Sequence, residues 1–307
     1  MIRRIPLFSG LLVACCLLPS LPAQAACTLA GESRGSLAQW KASGFVVVDP
    51  GSRNERALAL ADCLGAADPF LRDGIAFEAL STWMRGKQLD AQALRTLQQR
   101  LQSQLDGADP DGFRKPFAAL VLSEVARTDR VQPWMTADER SRMTTAAAAY
   151  LSSVRDYRGY VDGEGWRHGV AHGADWALQL VLNKALDASQ AWQLMNALAL
   201  QVAPDQGHAY AFGEPARLAR PVAYAVARGD LGQPAVDAWL AGLAASLEPR
   251  PEADPQAVWW ARRANLENFL HALAYLAAGD QSPGLIALST SARAALPWSW
   301  ATLAPSS

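Results

Sequence analysis

Apolar residues recur every three to four positions along most of the chain from Ser52 onward, a spacing typical of amphipathic α-helices. Short breaks rich in Pro, Gly and Asp interrupt this pattern. It predicts helices at 53–65, 70–86, 90–106, 112–128, 136–153, 165–183, 188–203, 213–229, 233–247, 256–278 and 283–296. Residues 45–48, Phe-Val-Val-Val, predict a single strand or an extended segment.

The links between the predicted helices are short, so consecutive helices should be antiparallel neighbours. Half of the residues are hydrophobic, with many Ala and Leu and few β-branched side chains, which also favours helix. We therefore predict an all-α fold of antiparallel helical hairpins stacked as an open α-superhelix. A closed α/α ring is the alternative.

The N-terminal residues have the pattern of a secretory signal peptide. Arg3 and Arg4 precede an apolar run at 7–21, and Ala-Gln-Ala at 23–25 is a signal-peptidase pattern. We expect a signal peptide at 1–25 cut after Ala25, one helical domain at 26–298, a tail at 299–307, and a periplasmic or secreted protein. A lipid anchor on Cys27 is the alternative; Gln24, where lipidation favours an aliphatic residue, argues against it.

Charge and cysteine content narrow the function classes. The formal net charge is −1, and removal of Arg3 and Arg4 would make it two units more negative. A nucleic-acid partner, which favours a basic surface, is therefore not expected. No later stretch is long and apolar enough to predict a membrane span. Cys27 and Cys63 would remain after cleavage and predict one disulfide in an oxidising compartment.

Candidate chemistry concentrates in residues 158–175, which read RGYVDGEGWRHGVAHGAD. His168, His172 and Asp175 have the spacing i, i+4, i+7, so the predicted helix 165–183 places them on one face. Two imidazoles and a carboxylate on one face can bind a divalent metal such as zinc. They can also provide a general base without a metal. Position 169 is Gly, so the segment is not a zinc-protease HExxH motif.

Two further residues complete the candidate catalytic set of His168, His172, Asp175, Arg158 and Glu214. Arg158 is expected to orient an anionic group of a substrate. Glu214 begins a predicted helix, where it can add a carboxylate to the site or form a local ion pair with Arg217. The alternative for the two histidines is a structural role, hydrogen-bonded inside the helix stack.

The segment 158–175 resembles the signature of DUF2785, a bacterial family of unknown function whose members carry a similar RGY…GWxHxxAHxAD segment. The matching positions are Arg158, Gly159, Tyr160, Gly165, Trp166, His168, His172 and Asp175. The resemblance continues at 72–83, 109–127, 213–220 and 265–276; Arg167 and the 114–116 run depart from it. It implies an all-helical fold with a shared polar centre, and no known reaction, substrate or cofactor.

Three functions remain open from the sequence. The first is an enzyme, hydrolytic in character, with a metal or general-base site at His168, His172 and Asp175. The second is a non-catalytic helical binding module for a small molecule, a peptide, a glycan or an envelope protein. The third is an α/α-ring enzyme acting on a polysaccharide through two carboxylates drawn from Asp162, Glu164 and Glu214.

Overall fold

The computed structural model describes residues 27–247, 252, 255–279 and 282–296. The predicted signal peptide at 1–25 and the predicted tail at 299–307 lie outside the described residues.

The described residues form a 3₁₀ turn at Thr28–Gly31 followed by twelve α-helices, which confirms the all-α prediction. The helices are α1 Arg34–Ala42, α2 Pro50–Cys63, α3 Glu78–Arg85, α4 Ala91–Asp106, α5 Arg114–Val131, α6 Ala137–Ser153, α7 Gly169–Val181, α8 Ala188–Val202, α9 Glu214–Ala227, α10 Gln233–Ala245, α11 Gln256–Ala278 and α12 Pro283–Ala294. A π-helical segment, Phe70–Phe77, runs directly into α3.

Polar side chains fix where several helices begin. Each accepts a hydrogen bond from the backbone N–H three residues ahead, which satisfies an otherwise unpaired donor of the first turn. These N-caps are Asp49, Asp90, Thr136 and Asp187. At α6 and α8 the third helical residue returns the bond and completes a capping box.

Residues 45–48 form no strand, so of the two predictions for them the extended segment remains. Two other local predictions need correction. Helix α1 was not predicted. The predicted helix 165–183 begins only at Gly169, because the residues before it form a hairpin of β1 (Tyr160–Val161) and β2 (Gly165–Trp166). Gly163 and Gly165 supply the positive φ angles of 80° and 81° that this hairpin needs.

Alternate helices pack side by side: α5 contacts α7, α7 contacts α9, and α9 contacts α11. Helices α6 and α8 pack together as part of a second layer. The buried apolar side chains form one cluster that extends from Leu29 to Ala292. Whether the stack is an open superhelix or a ring stays a prediction. Among the described residues, no helix is both long and apolar enough to cross a membrane.

Cys27 and Cys63 form a disulfide, as predicted. Cys63 is the last residue of α2 and is fully buried. The bond therefore ties the start of the described chain to the core.

Candidate functional site

The β1–β2 hairpin brings residues 158–168 across the beginning of α7. Tyr160 pairs with Trp166 and Val161 with Gly165. Two further backbone hydrogen bonds extend the ladder: the N–H of Arg167 donates to the carbonyl of Gly159, and the N–H of His168 donates to the carbonyl of Arg158. The hairpin thus fixes the backbone of His168 directly.

His168 precedes the helix instead of lying on it, which corrects the predicted helical face. It is the N-cap of α7 and has left-handed backbone angles, φ 55° and ψ 37°. A residue with a β-carbon pays about 1–2 kcal/mol for this conformation. His172 lies in the first turn of α7, and the two imidazole centroids are 5.8 Å apart.

His172 is buried and held by one hydrogen bond. Its Nδ1 lies 3.1 Å from the carbonyl oxygen of Pro116 in the first turn of α5, so Nδ1 carries the hydrogen. The pKa of His172 lies well below its usual value, because burial disfavours the charged ring and His168 and Arg217 add positive charge nearby. His172 is therefore neutral at pH 7, with Nε2 as an acceptor.

Glu214 is the carboxylate that the structure brings to the two histidines. It is the first residue of α9 and only 2% exposed, and its Oε1 lies 3.4 Å from Nε2 of His168. Its Oε2 accepts the backbone N–H of Phe212. Burial raises the pKa of Glu214, but these interactions outweigh burial and the pKa falls below its usual value. The first turns of α5, α7 and α9 thus meet at Pro116, His172, His168 and Glu214.

Asp175 lies one turn further along α7 and pairs with Arg217 of α9. Nε of Arg217 lies 2.8 Å from Oδ1 of Asp175, and Nη2 contacts Oδ2. The predicted local ion pair between Glu214 and Arg217 is therefore wrong: Arg217 points across to the neighbouring helix. Both carboxylate oxygens of Asp175 are engaged by this guanidinium.

The predicted metal ligands His168, His172 and Asp175 are not arranged around a common point, and Asp175 is paired with Arg217. In the part of the chain that the structure describes, no three His, Cys, Asp or Glu side chains are grouped closely enough to hold a metal ion. Metal binding at this position stays a prediction.

Arg158 supports the site through its backbone. Its carbonyl accepts the N–H of His168, whereas its guanidinium pairs with Asp156, with Nε 2.8 Å from Oδ1. The predicted role of Arg158 as an orienter of an anionic substrate group stays a prediction.

Two buried arginines that the sequence analysis did not identify hold the hairpin. Arg72, in the π-helical segment, is fully buried and donates to the carbonyl of Glu164 at 2.8 Å. Arg167 is 4% exposed and pairs with the Glu164 carboxylate at 2.7 Å. Both guanidinium groups lie over the ring of Phe113, at 3.9 Å and 4.1 Å. The Arg167–Glu164 pair is local, but Arg72 and Glu164 are 92 residues apart, and Nε of Arg167 also donates to the carbonyl of Asp111, 56 residues away. Local spacing could not reveal these two long-range contacts.

An exposed aromatic cluster packs on His168. Trp166 stacks on His168 with ring centroids 4.8 Å apart, and Phe212 and Tyr160 meet Trp166 edge-on at 5.7 Å and 5.2 Å. These three side chains are 39–44% exposed. We call Tyr160, Trp166 and Phe212 the aromatic rim.

Asn265 of α11 positions the loop that carries Phe212 and Glu214. Its Oδ1 accepts the N–H of Tyr210 at 2.9 Å, and its Nδ2 donates to the carbonyl of His208 at 2.7 Å. His208 stacks on Tyr157, as a structural loop residue. Asn265 thus anchors this loop to α11.

The three carboxylates proposed for polysaccharide cleavage occupy different environments. Asp162 and Glu164 lie exposed on the hairpin turn, and Glu164 is tied to Arg167. Glu214 is buried beside His168. The structure therefore provides no facing pair of carboxylates among these residues.

The fold and site define an all-α protein with a buried histidine–glutamate centre beneath exposed aromatic side chains. The family model described as "Protein of unknown function (DUF2785)" matches residues 92–275, which is more than half of the chain. The chain belongs to this family, as the resemblance of the 158–175 segment indicated. No curated protein and no solved structure matches the chain.

Proposed function

We propose that the protein is a hydrolytic enzyme in which His168 is the general base and Glu214 orients it. The observation that carries this proposal is the buried contact of 3.4 Å between Nε2 of His168 and Oε1 of Glu214. A carboxylate beside one imidazole nitrogen favours the tautomer with its hydrogen there, which leaves the other nitrogen free to accept a proton.

In this arrangement Nδ1 of His168 takes the proton from water or from a substrate hydroxyl. The positive charge that forms on the ring then faces the carboxylate of Glu214, which is ionised at neutral pH because its pKa is lowered. The distance of 3.4 Å exceeds a typical hydrogen bond of about 2.7–3.2 Å. Such contacts often tighten only when substrate binds.

The backbone of His168 gives independent support. Left-handed conformations of residues other than glycine are costly and cluster at functional sites, where the surrounding structure enforces them. Here the hairpin bond from His168 to Arg158 and the helix start at Gly169 enforce the conformation.

Turnover by matched variants tests the proposal. The full chain would be assayed with chromogenic esters, phosphoesters and glycosides to find the class that it hydrolyses. His168→Gln and Glu214→Gln should each lower kcat by about 10²–10⁴-fold, the usual contribution of general acid–base catalysis. Asp162→Asn, an exposed carboxylate on the same hairpin turn, is the control and should keep the wild-type rate. A His168→Gln variant with wild-type turnover would overturn the proposal.

A metal-dependent form of this proposal keeps His168 and His172 as ligands and requires Asp175 to leave Arg217. Elemental analysis of the purified protein tests it. A divalent transition metal at about one equivalent, lost in His168→Ala, supports this form; less than about a tenth of an equivalent, unchanged in that variant, contradicts it.

The aromatic rim favours a second candidate, a binding module without catalysis. Exposed Trp, Tyr and Phe side chains provide stacking surfaces for sugars or peptides. If this candidate is correct, Trp166→Ala abolishes binding of an oligosaccharide or peptide identified by array screening, while His168→Gln leaves that binding unchanged. The hydrolytic proposal predicts loss of turnover in His168→Gln instead.

We also infer that the protein acts outside the cytoplasm. The pattern of residues 3–25 and the disulfide of Cys27 with Cys63 support this inference, since disulfides persist in oxidising compartments. N-terminal sequencing of the protein from a periplasmic extract should give Ala26 as the first residue. A chain retained in the cytoplasm with residues 1–25 intact would contradict it.

A further inference from the structure

A cleft of 510 Å³ lies between the α3–α4 link and the α5–α6 link. Its floor is apolar: Met84, Leu89 and Leu94 line it and are at most 7% exposed. Trp134 and Val131 continue the apolar wall toward solvent, where Val131 is 48% exposed. None of these residues takes part in the His168–Glu214 site.

The cleft is lined by more positive than negative charge. Lys87, Arg85 and Arg127 line it, and among its lining residues the one carboxylate is Asp90. Oδ1 of Asp90 accepts the N–H of Ala93 as the N-cap of α4. Arg85 is paired with Glu124, with Nε 3.0 Å from Oε2.

Lys87 and Arg127 are the cations left without a counter-charge. Neither side chain forms a hydrogen bond or an ion pair among the described residues. The positive charge of Arg127 acts on Arg130: burial lowers the pKa of Arg130, and repulsion from Arg127 lowers it further. An anion in the cleft would relieve this repulsion.

Lys87 has a left-handed backbone conformation, which is costly for a residue other than glycine. Its φ is 56°, a left-handed position that follows the end of α3 and is usually occupied by Gly or Asn. The preceding residue, Gly86, has an ordinary φ of −77°. The glycine thus precedes the left-handed position instead of occupying it. The left-handed position is occupied by Lys87, a cation that lines the cleft.

We propose that this cleft binds a small amphipathic anion, a molecule with an apolar body and one carboxylate or sulfonate group. The volume lies within the range of about 300–1,000 Å³ that small-molecule sites occupy. The apolar body packs on Met84, Leu89 and Leu94, and the anionic group is bound by Lys87 and Arg127. Charge-assisted hydrogen bonds to these cations give the selectivity for anions.

Two probes with the same naphthalene body, one anionic and one neutral, test the charge requirement. The full chain would be titrated by calorimetry with naphthalenesulfonate and with the neutral naphthalenemethanol, and amide NMR shifts would show whether Leu89 and Leu94 respond. The sulfonate should bind about tenfold tighter than the neutral probe. Equal affinities, or shifts confined to other parts of the chain, would overturn the proposal.

Variants separate binding from folding. Arg127→Glu should weaken sulfonate binding by about tenfold or more, whereas Lys184→Glu, an exposed lysine outside the cleft, should not. Lys87→Gly removes the charge and also relieves the left-handed strain. It should therefore melt no lower than the wild type and still lose affinity. Wild-type affinity in both Arg127→Glu and Lys87→Gly would contradict the assignment.

Discussion

His172 donates a hydrogen bond through Nδ1 to the carbonyl oxygen of Pro116, 3.1 Å away, and so joins the first turn of α7 to the first turn of α5. The carbonyl can only accept, so the bond fixes the tautomer of the ring. The bond itself raises the pKa of His172, but burial and nearby positive charge outweigh it and keep the pKa far below its usual value. The burial of this ring therefore makes the stability of the fold depend on pH.

We expect the free energy of unfolding to fall as the pH drops below about 6.5, where His172 takes up a proton in the unfolded chain but not in the folded one. One such group contributes a slope approaching about 1.4 kcal/mol per pH unit. His172→Asn, measured by urea unfolding across this range, should show a smaller slope than the wild type.

The exposed His271 of α11 provides the control for that experiment. His271→Asn should keep the wild-type pH slope, because the ring lies in water in both states. A His172→Asn variant with the same slope as the wild type would show that His172 is not held neutral in the folded protein.

The pair of Asp175 and Arg217 should couple α7 to α9 energetically. Their side chains are 20% and 31% exposed, so water screens the pair only in part. We expect a coupling free energy of about 1–2 kcal/mol from a double-mutant cycle of Asp175→Asn and Arg217→Gln, measured by denaturant unfolding. Strictly additive single effects would show that the pair contributes no net stability.

Helix positions could be predicted because their signals are local. The Pro and Gly breaks and N-caps such as Asp90 and Thr136 depend only on neighbouring residues, and the observed helices begin next to them. The choice of His168, His172 and Glu214 as polar candidates also needed only residue type and spacing. The disulfide followed from the two cysteines that remain after the predicted cleavage.

The pairing of side chains could not be predicted, because it depends on contacts between distant segments. Asp175 and Arg217 are 42 residues apart, and Arg72 and Glu164 are 92 apart. Helical periodicity through 165–183 also hid the hairpin, since Gly165 and Trp166 fit a helix pattern as well as a turn and strand. The resulting error placed His168 on a helical face with Asp175 instead of beside Glu214.

Reduction of the disulfide between Cys27 and Cys63 should destabilise the protein. The two cysteines are 36 residues apart, and closing a loop of this length in the unfolded chain corresponds to about 3–4 kcal/mol in the chain-entropy model. The double variant Cys27→Ser, Cys63→Ser should lower the Tm, and a reductant should lower the Tm of the wild type but not that of the variant. Identical melting of both proteins under oxidising conditions would contradict this.

Gly165 should be irreplaceable in the hairpin for two separate reasons. Its φ is +81°, and an added β-carbon would lie 2.8 Å from Nη2 of Arg72 and 3.1 Å from Cβ of Pro69. Gly163 has nearly the same φ, +80°, but open space around it, so Gly163→Ala carries the backbone strain alone. That strain is worth about 1–2 kcal/mol.

Gly165→Ala should therefore lose more free energy of unfolding than Gly163→Ala, by at least about 1 kcal/mol, because buried Arg72 must move and give up its bond to Glu164. Denaturant unfolding of both variants measures the difference. The displaced hairpin should also shift Trp166 away from His168, visible as changed imidazole signals in the NMR spectrum of Gly165→Ala and not of Gly163→Ala. Equal losses in the two variants would mean that Arg72 does not hold the hairpin against the π-helical segment.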